Sequence, residues 1–190
     1  MNINERFDRL DTFITEGRLV RKAWGDGRGR ACLLLALAPE VGQGKIDRCP
    51  STLLPPWLAN LTPSLDDNGT TDAWPAMVRR YAVVVRRGAE TLDDAGWRRV
   101  LARTMLAVVA VVAPHDLSES CARVSALWGR VLAGDEPSEE EWTAVKATAE
   151  AAGEAAGEAA WVAWAATWDC ITVALLDGIE IECARVEVTS

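Results

Sequence analysis

The feature that most constrains this chain is a period. Apolar residues recur at three- and four-residue spacing along nearly all of it, and no Val/Ile/Thr-rich alternating run bounded by hairpin turns occurs. The pattern predicts an all-α protein, a helical bundle of about six or seven helices that ends in a long acidic Ala/Trp-rich helix.

Helix-start and helix-stop residues divide the pattern. Asn4 is placed to cap a first helix with Phe7, Leu10 and Ile14 on one face and Gly17 as its stop. After the glycine-rich stretch Gly25 to Arg30 comes a short apolar helix, Ala31 to Ala38, ended by Pro39, which should be buried. Residues 39 to 72 are the least regular, with one short helix near Pro55 to Leu61 and a turn at Asp66-Asp67-Asn68-Gly69. Thr71 or Asp72 is placed to cap a helix from Ala73 to Arg87, stopped by Gly88 and carrying Trp74, Val78 and Tyr81 toward one side. A further helix spans Asp93 to Ala113, with Trp97, Leu101 and Met105 in line, and the next spans Leu117 to Ala133, closed by Gly134. Ser138-Glu139-Glu140-Glu141 matches a capping box and opens a long helix to about Thr167. A helical stretch then continues to about Arg185, with Trp168-Asp169 either a break or a passage.

At 190 residues, 49% of them apolar, the chain can bury a real core and reads as one domain, 1–190. Its longest apolar run, Met105 to Ala113, falls short of the roughly 20 residues a bilayer requires, so no membrane role is expected. The start, Met1-Asn2-Ile3-Asn4-Glu5-Arg6, lacks a basic region followed by an apolar one, which predicts no secretory leader and a cytoplasmic protein. Cys32, Cys49, Cys121, Cys170 and Cys183 are scattered without a C-x-x-C, as expected of reduced thiols.

Charge is unevenly placed. Residues 1–134 hold 18 Lys/Arg and 15 Asp/Glu, a net +3, and residues 135–190 hold 2 and 13, a net −11. This marks a subdivision into a mildly basic part and an acidic one. The acidic end repels nucleic acid, so no direct nucleic-acid binding is expected, and it suits a protein partner with a basic surface. The alternative is an acidic helix surface that only keeps an alanine-rich protein soluble.

The inventory for catalysis is poor. His115 is the only histidine, which excludes a His-His zinc site and leaves any Ser-His-Asp arrangement to one residue between two helices. Asp66-Asp67 and Asp93-Asp94 are adjacent pairs that do not converge on one helix side, and they read as a turn and a helix start. Asp66-Asp67-Asn68-Gly69 lacks the alternation of a calcium loop. No catalytic residue, cofactor or metal site is therefore assigned. Gly25-Asp26-Gly27-Arg28-Gly29-Arg30 could meet an anion but matches neither phosphate-loop pattern, and a flexible connector is the better account of it.

The acidic residues supply the candidate binding site: Glu139, Glu140 and Glu141, then Glu150, Glu154 and Glu158. Four-residue spacing sets successive carboxylates of that last trio about 6 Å apart on one helix face, close to the phosphate repeat of an extended strand. Nucleic-acid mimicry is geometrically permitted. Two Ala-Ala-Gly-Glu units in the same stretch, with Gly153 and Gly157 four apart, point to close approach of another backbone. Trp161, Trp164 and Trp168 share a face and, with Trp142, form an aromatic surface suited to a core or to a partner.

Arg18 to Trp24, Ala31 to Glu40, Cys49-Pro50, Leu54 to Ala59, Leu61 to Gly69 and Ala73 to Ala82 resemble a group of proteobacterial and prophage proteins. The whole chain resembles phage-encoded anti-CRISPR proteins, in particular inhibitors of type I-C systems. The resemblance implies a non-enzymatic inhibitor of the crRNA-guided surveillance complex or of its recruited nuclease-helicase, and it carries no site residues. Arg79, Arg80, Arg86 and Arg87, or the tryptophans, are the competing contact surfaces. Two other functions fit the composition: an enzyme or accessory factor of mobile-element metabolism that binds a phosphorylated ligand through Arg28 and Arg30, and an immunity or antitoxin-type partner.

Overall fold

A computed structural model of the chain describes residues 1–21, 28–42, 54–115, 120–145 and 164–189. Their regular elements are helices, and the protein is all-α. In chain order they are α1 (Ile3–Thr15), α2 (Leu33–Leu37), α3 (Pro56–Asn68), α4 (Trp74–Thr91), α5 (Asp94–Val112), α6 (Ser120–Ala133), α7, described over 139–145, and α8 (Trp164–Thr189). Short 3-10 turns follow α2 (Pro39–Gly42) and α5 (Ala113–His115). No described helix is long and apolar enough to cross a membrane. The chain divides into two compact units, Met1–Leu92 and Asp93–Ser190. This boundary precedes the change of charge at residue 134, because α6 and the start of α7 bury Trp128 and Trp142 against α5 whatever charge their surfaces carry.

In the first unit α1 packs on α2 and α4, and α2 packs on α3. Phe7, Leu10 and Phe13 form the buried side of α1. Its cap is Asn2 rather than Asn4. The Asn2 side chain accepts from the Glu5 amide at 2.9 Å and the Glu5 carboxylate accepts from the Asn2 amide at 2.8 Å, a reciprocal pair. Asn4 lies within the helix, where its side chain accepts from Arg86. The expected burial of α2 holds, with Leu33, Leu34, Ala36 and Leu37 all inside.

Two further helices differ in extent from the sequence reading. Helix α3 runs through Pro63 to Asn68, so the expected turn at Asp66 is helical. A bond of 2.8 Å between the Thr62 and Tyr81 hydroxyls, both buried, ties this helix to α4, and Asp66 is buried beside Trp74. Helix α4 passes Gly88, which is buried, and ends at Thr91; Ala73 is its cap, without a side-chain bond of its own. Helix α6 is described over Ser120–Ala133, and its expected start at Leu117 lies outside the described residues.

In the second unit α5 is central, packed by α6 and α8. Asp93 caps α5 by accepting from the Gly96 amide at 2.7 Å, as its place before the apolar run predicts. Helix α8 passes straight through Trp168-Asp169. It buries Ile171, Leu175, Leu176, Ile179 and Cys183, and Gly178 lets it approach Val100 and Arg103 of α5. Buried Glu182 accepts from Arg99 at 2.6 Å and from Arg103 at 3.1 and 3.2 Å.

Candidate functional site

The acidic candidates begin where α6 ends. Gly134 adopts φ +83°, its amide donates to Val131 at 3.1 Å, and the Asp135 amide donates to Arg130 at 2.9 Å, so the chain turns sharply out of the helix. Pro137 is buried, and Ser138 opens α7 by the expected capping box. The Glu141 amide donates to the Ser138 hydroxyl at 3.2 Å and the Ser138 amide to the Glu141 carboxylate at 2.8 Å. A turn of α7 later, Trp142 lies against Trp128 with ring centroids 4.6 Å apart and planes at 52°. The Arg98 guanidinium covers both rings, 5.0 Å from Trp128 and 5.7 Å from Trp142.

Two arginines then organise the carboxylates. Arg130 donates through Nε to Asp135 at 2.6 Å and through Nη1 to Glu141 at 2.5 Å, while Arg98 pairs with Glu136. Hydrogen bonds from Arg130 hold the Asp135 and Glu141 carboxyls below their ordinary values, and the Asp135 bond, then the Glu141 bond, push the Arg130 guanidinium up. Three of the five carboxylates at 135–141 are thus tied to cations of their own chain. Glu139 and Glu140 are exposed, and no cation among the described residues pairs with either. Both stand in the first turn of a helix, where the macrodipole favours negative charge. Glu150, Glu154 and Glu158 lie outside the described residues, as do Gly153, Gly157 and Trp161. The arginine anchors were legible only as scattered cations: Arg98 reaches the turn from α5, and Arg130, five residues before Asp135, bonds across the turn that Gly134 makes.

The remaining candidates separate in space. Residues 22–27 of the glycine-rich loop lie outside the described set; Arg28 and Arg30 are exposed, and the Gly29 carbonyl accepts from Arg18 at 2.8 Å. Arg86 pairs with Asp8 at 2.8 Å and with Glu90 at 3.5 Å. His115 closes the 3-10 turn after α5. The described cysteines, Cys32, Cys121, Cys170 and Cys183, are free thiols. No three His, Cys, Asp or Glu side chains gather as a metal-ligand set among the described residues.

The sequence reading took Asp66 as part of a turn, and the structure instead buries its carboxylate. It is 2% exposed and accepts from Trp74 Nε1 at 2.7 Å and from the Leu33 amide at 3.2 Å. Burial pushes its carboxyl up to about 6 against the pull of both bonds. The Arg21 guanidinium beside it donates to the Asp66 carbonyl at 2.9 Å and the Asp67 carbonyl at 3.3 Å, closing the end of α3. Neighbouring Cys32 is raised by burial, and its sulfur accepts from the Leu35 amide. The Asp66 carboxylate thus joins α3 to the start of α2 and to α4. No family model, curated protein or solved structure matches this chain.

Proposed function

We propose that this chain is a non-enzymatic inhibitor that binds a protein with a basic surface, and that its target is a type I-C CRISPR surveillance complex or the nuclease that complex recruits. The observation that carries the reading is the arrangement at 135–141. Arg98 and Arg130 pair with Asp135, Glu136 and Glu141, while Glu139 and Glu140, exposed as well, pair with no cation among the described residues and stand at the head of the segment that also bears Glu150, Glu154 and Glu158. A turn tied by a capping box and by Arg130 presents these two carboxylates in a helical first turn, which avoids part of the ordering cost that an unstructured acidic tail would meet on binding. Lys/Arg-lined channels that hold DNA in guided complexes are complementary to such a surface, and complementary charge speeds encounter. The choice of a CRISPR complex rests on the sequence resemblance.

The test mixes the purified chain with crRNA-loaded type I-C complex, follows co-elution by size exclusion and titrates target DNA at low and high salt. Co-elution with loss of DNA binding that weakens with salt is expected, and reversal of Glu139 and Glu140 to lysine should reduce it at least tenfold. Full inhibition by that variant, and by one reversed at Glu150, Glu154 and Glu158, rejects the acidic surface. No association with either the complex or its nuclease rejects the target.

A further inference from the structure

Arg99 and Arg103 stand one turn apart on α5, and both reach the same carboxylate of α8. Arg99 donates through Nε to Glu182 Oε2 at 2.6 Å, and Arg103 donates through Nε and Nη2 to Glu182 Oε1 at 3.2 and 3.1 Å. Glu182 is 0% exposed while the two arginine side chains are 20% and 35% exposed, so the carboxylate holds both guanidiniums from beneath. The stem of Arg103 is held as well, because it packs over Gly178, where a Cβ would stand 3.6 Å from it. Neighbouring Arg98 is engaged elsewhere, with Glu136 and the rings of Trp128 and Trp142.

Three terminal nitrogens are left over. Nη1 and Nη2 of Arg99 and Nη1 of Arg103 have no hydrogen-bond partner among the described residues, and each reaches solvent. Two guanidiniums on one carboxylate also leave a positive charge in excess, before Arg185, 3.7 Å from the same carboxylate, is counted. Like charges held side by side repel, and an anion on their open side relieves that repulsion. We propose that Arg99 and Arg103 form a binding site for a phosphate group, either the free ion or one carried by a small molecule. The spare donors belong to two separate planar groups. A tetrahedral oxyanion has acceptors in more than one plane and can use all three, whereas a flat carboxylate is matched by a single guanidinium fork. The inference does not rest on the proposed target.

Isothermal titration of the full chain at fixed ionic strength, with inorganic phosphate, adenosine monophosphate and acetate in turn, tests it. One-to-one binding of phosphate is expected, with a dissociation constant of about 1 mM or lower, and acetate should bind at least tenfold more weakly. Tighter binding of adenosine monophosphate than of phosphate identifies a carried group as the ligand, and equal or weaker binding identifies the free ion. Arg99→Lys and Arg103→Lys each keep a positive charge beside Glu182 but lose the spare Nη donors. Each should weaken phosphate binding at least tenfold and leave the circular dichroism unchanged. Arg123→Gln, at an exposed position on α6, should leave binding as it was. No binding of phosphate or of its ester, equal binding of acetate, or binding unchanged in both lysine variants would each overturn the proposal.

Discussion

Asp66 and Glu182 are both buried carboxylates, and they titrate in opposite senses. At Asp66 burial outweighs the bonds from Trp74 and Leu33, so the carboxyl rises from 3.8 to about 6. A group raised on folding binds its proton more tightly in the folded chain. Its stabilisation is fully present below pH 3.8 and is lost as pH climbs through about 6. Amide-exchange protection in α2 and α3 should therefore increase by about 1 kcal/mol from pH 7 to pH 5, after correction for intrinsic rates, and Asp66→Asn should abolish that increase. At Glu182 burial pushes the carboxyl up, but the hydrogen bonds from Arg99 and Arg103 outweigh it and hold it below its ordinary value. Glu182→Gln leaves three partly exposed guanidiniums, Arg99, Arg103 and Arg185, without that counter-charge. Urea denaturation should show a loss of about 1–3 kcal/mol, which returns little on adding salt.

Between elements, the contact of α5 with α8 turns on Gly178. A Cβ built there would lie 3.6 Å from the Arg103 side chain and 3.8 Å from Val100, which is ordinary contact. Gly178→Ala should therefore fit and raise stability by about 0.5–1 kcal/mol through helix propensity. Gly178→Leu must push α8 away from Arg103 and should lower the thermal midpoint, at a cost of about 1–3 kcal/mol. Starts and stops with a local chemical cause were legible in the sequence: Asp93 as a cap, the Ser138 and Glu141 box, and Gly134 as an exit. Helix α3 was not. Pro63 and the Asp-Asp-Asn-Gly string locally favour a turn. The helix persists because it joins Thr62 to Tyr81 and Asp66 to Trp74, contacts with residues beyond the string itself.

Acid should act on the two units of the molecule differently. From pH 7 to 5 the Asp66 cost is relieved in the first unit, while Glu40, held down by its bond from Arg6, stays ionised. In the second unit Asp135, Glu141 and Glu182 are all lowered, so their contribution is present above about pH 4.5 and is lost as pH falls further. Exchange protection followed by mass spectrometry should rise in α2 and α3 down to pH 5, and should fall in α6 and α8 only below pH 4.5. Of the candidate site, the sequence made the carboxylates and their cap visible but not which of them are neutralised. The sequence alone determined the helical class, the starts of α5 and α7, the burial of α2 and the concentration of negative charge after residue 134, since each follows from residue type at short spacing. Tertiary structure alone decided the reach of α3, the passage of α8 through Trp168-Asp169, the burial of Asp66 and which carboxylates at 135–141 are paired with an arginine. Those outcomes depend on which distant donor, ring or guanidinium arrives beside a residue, and chain spacing carries no record of that.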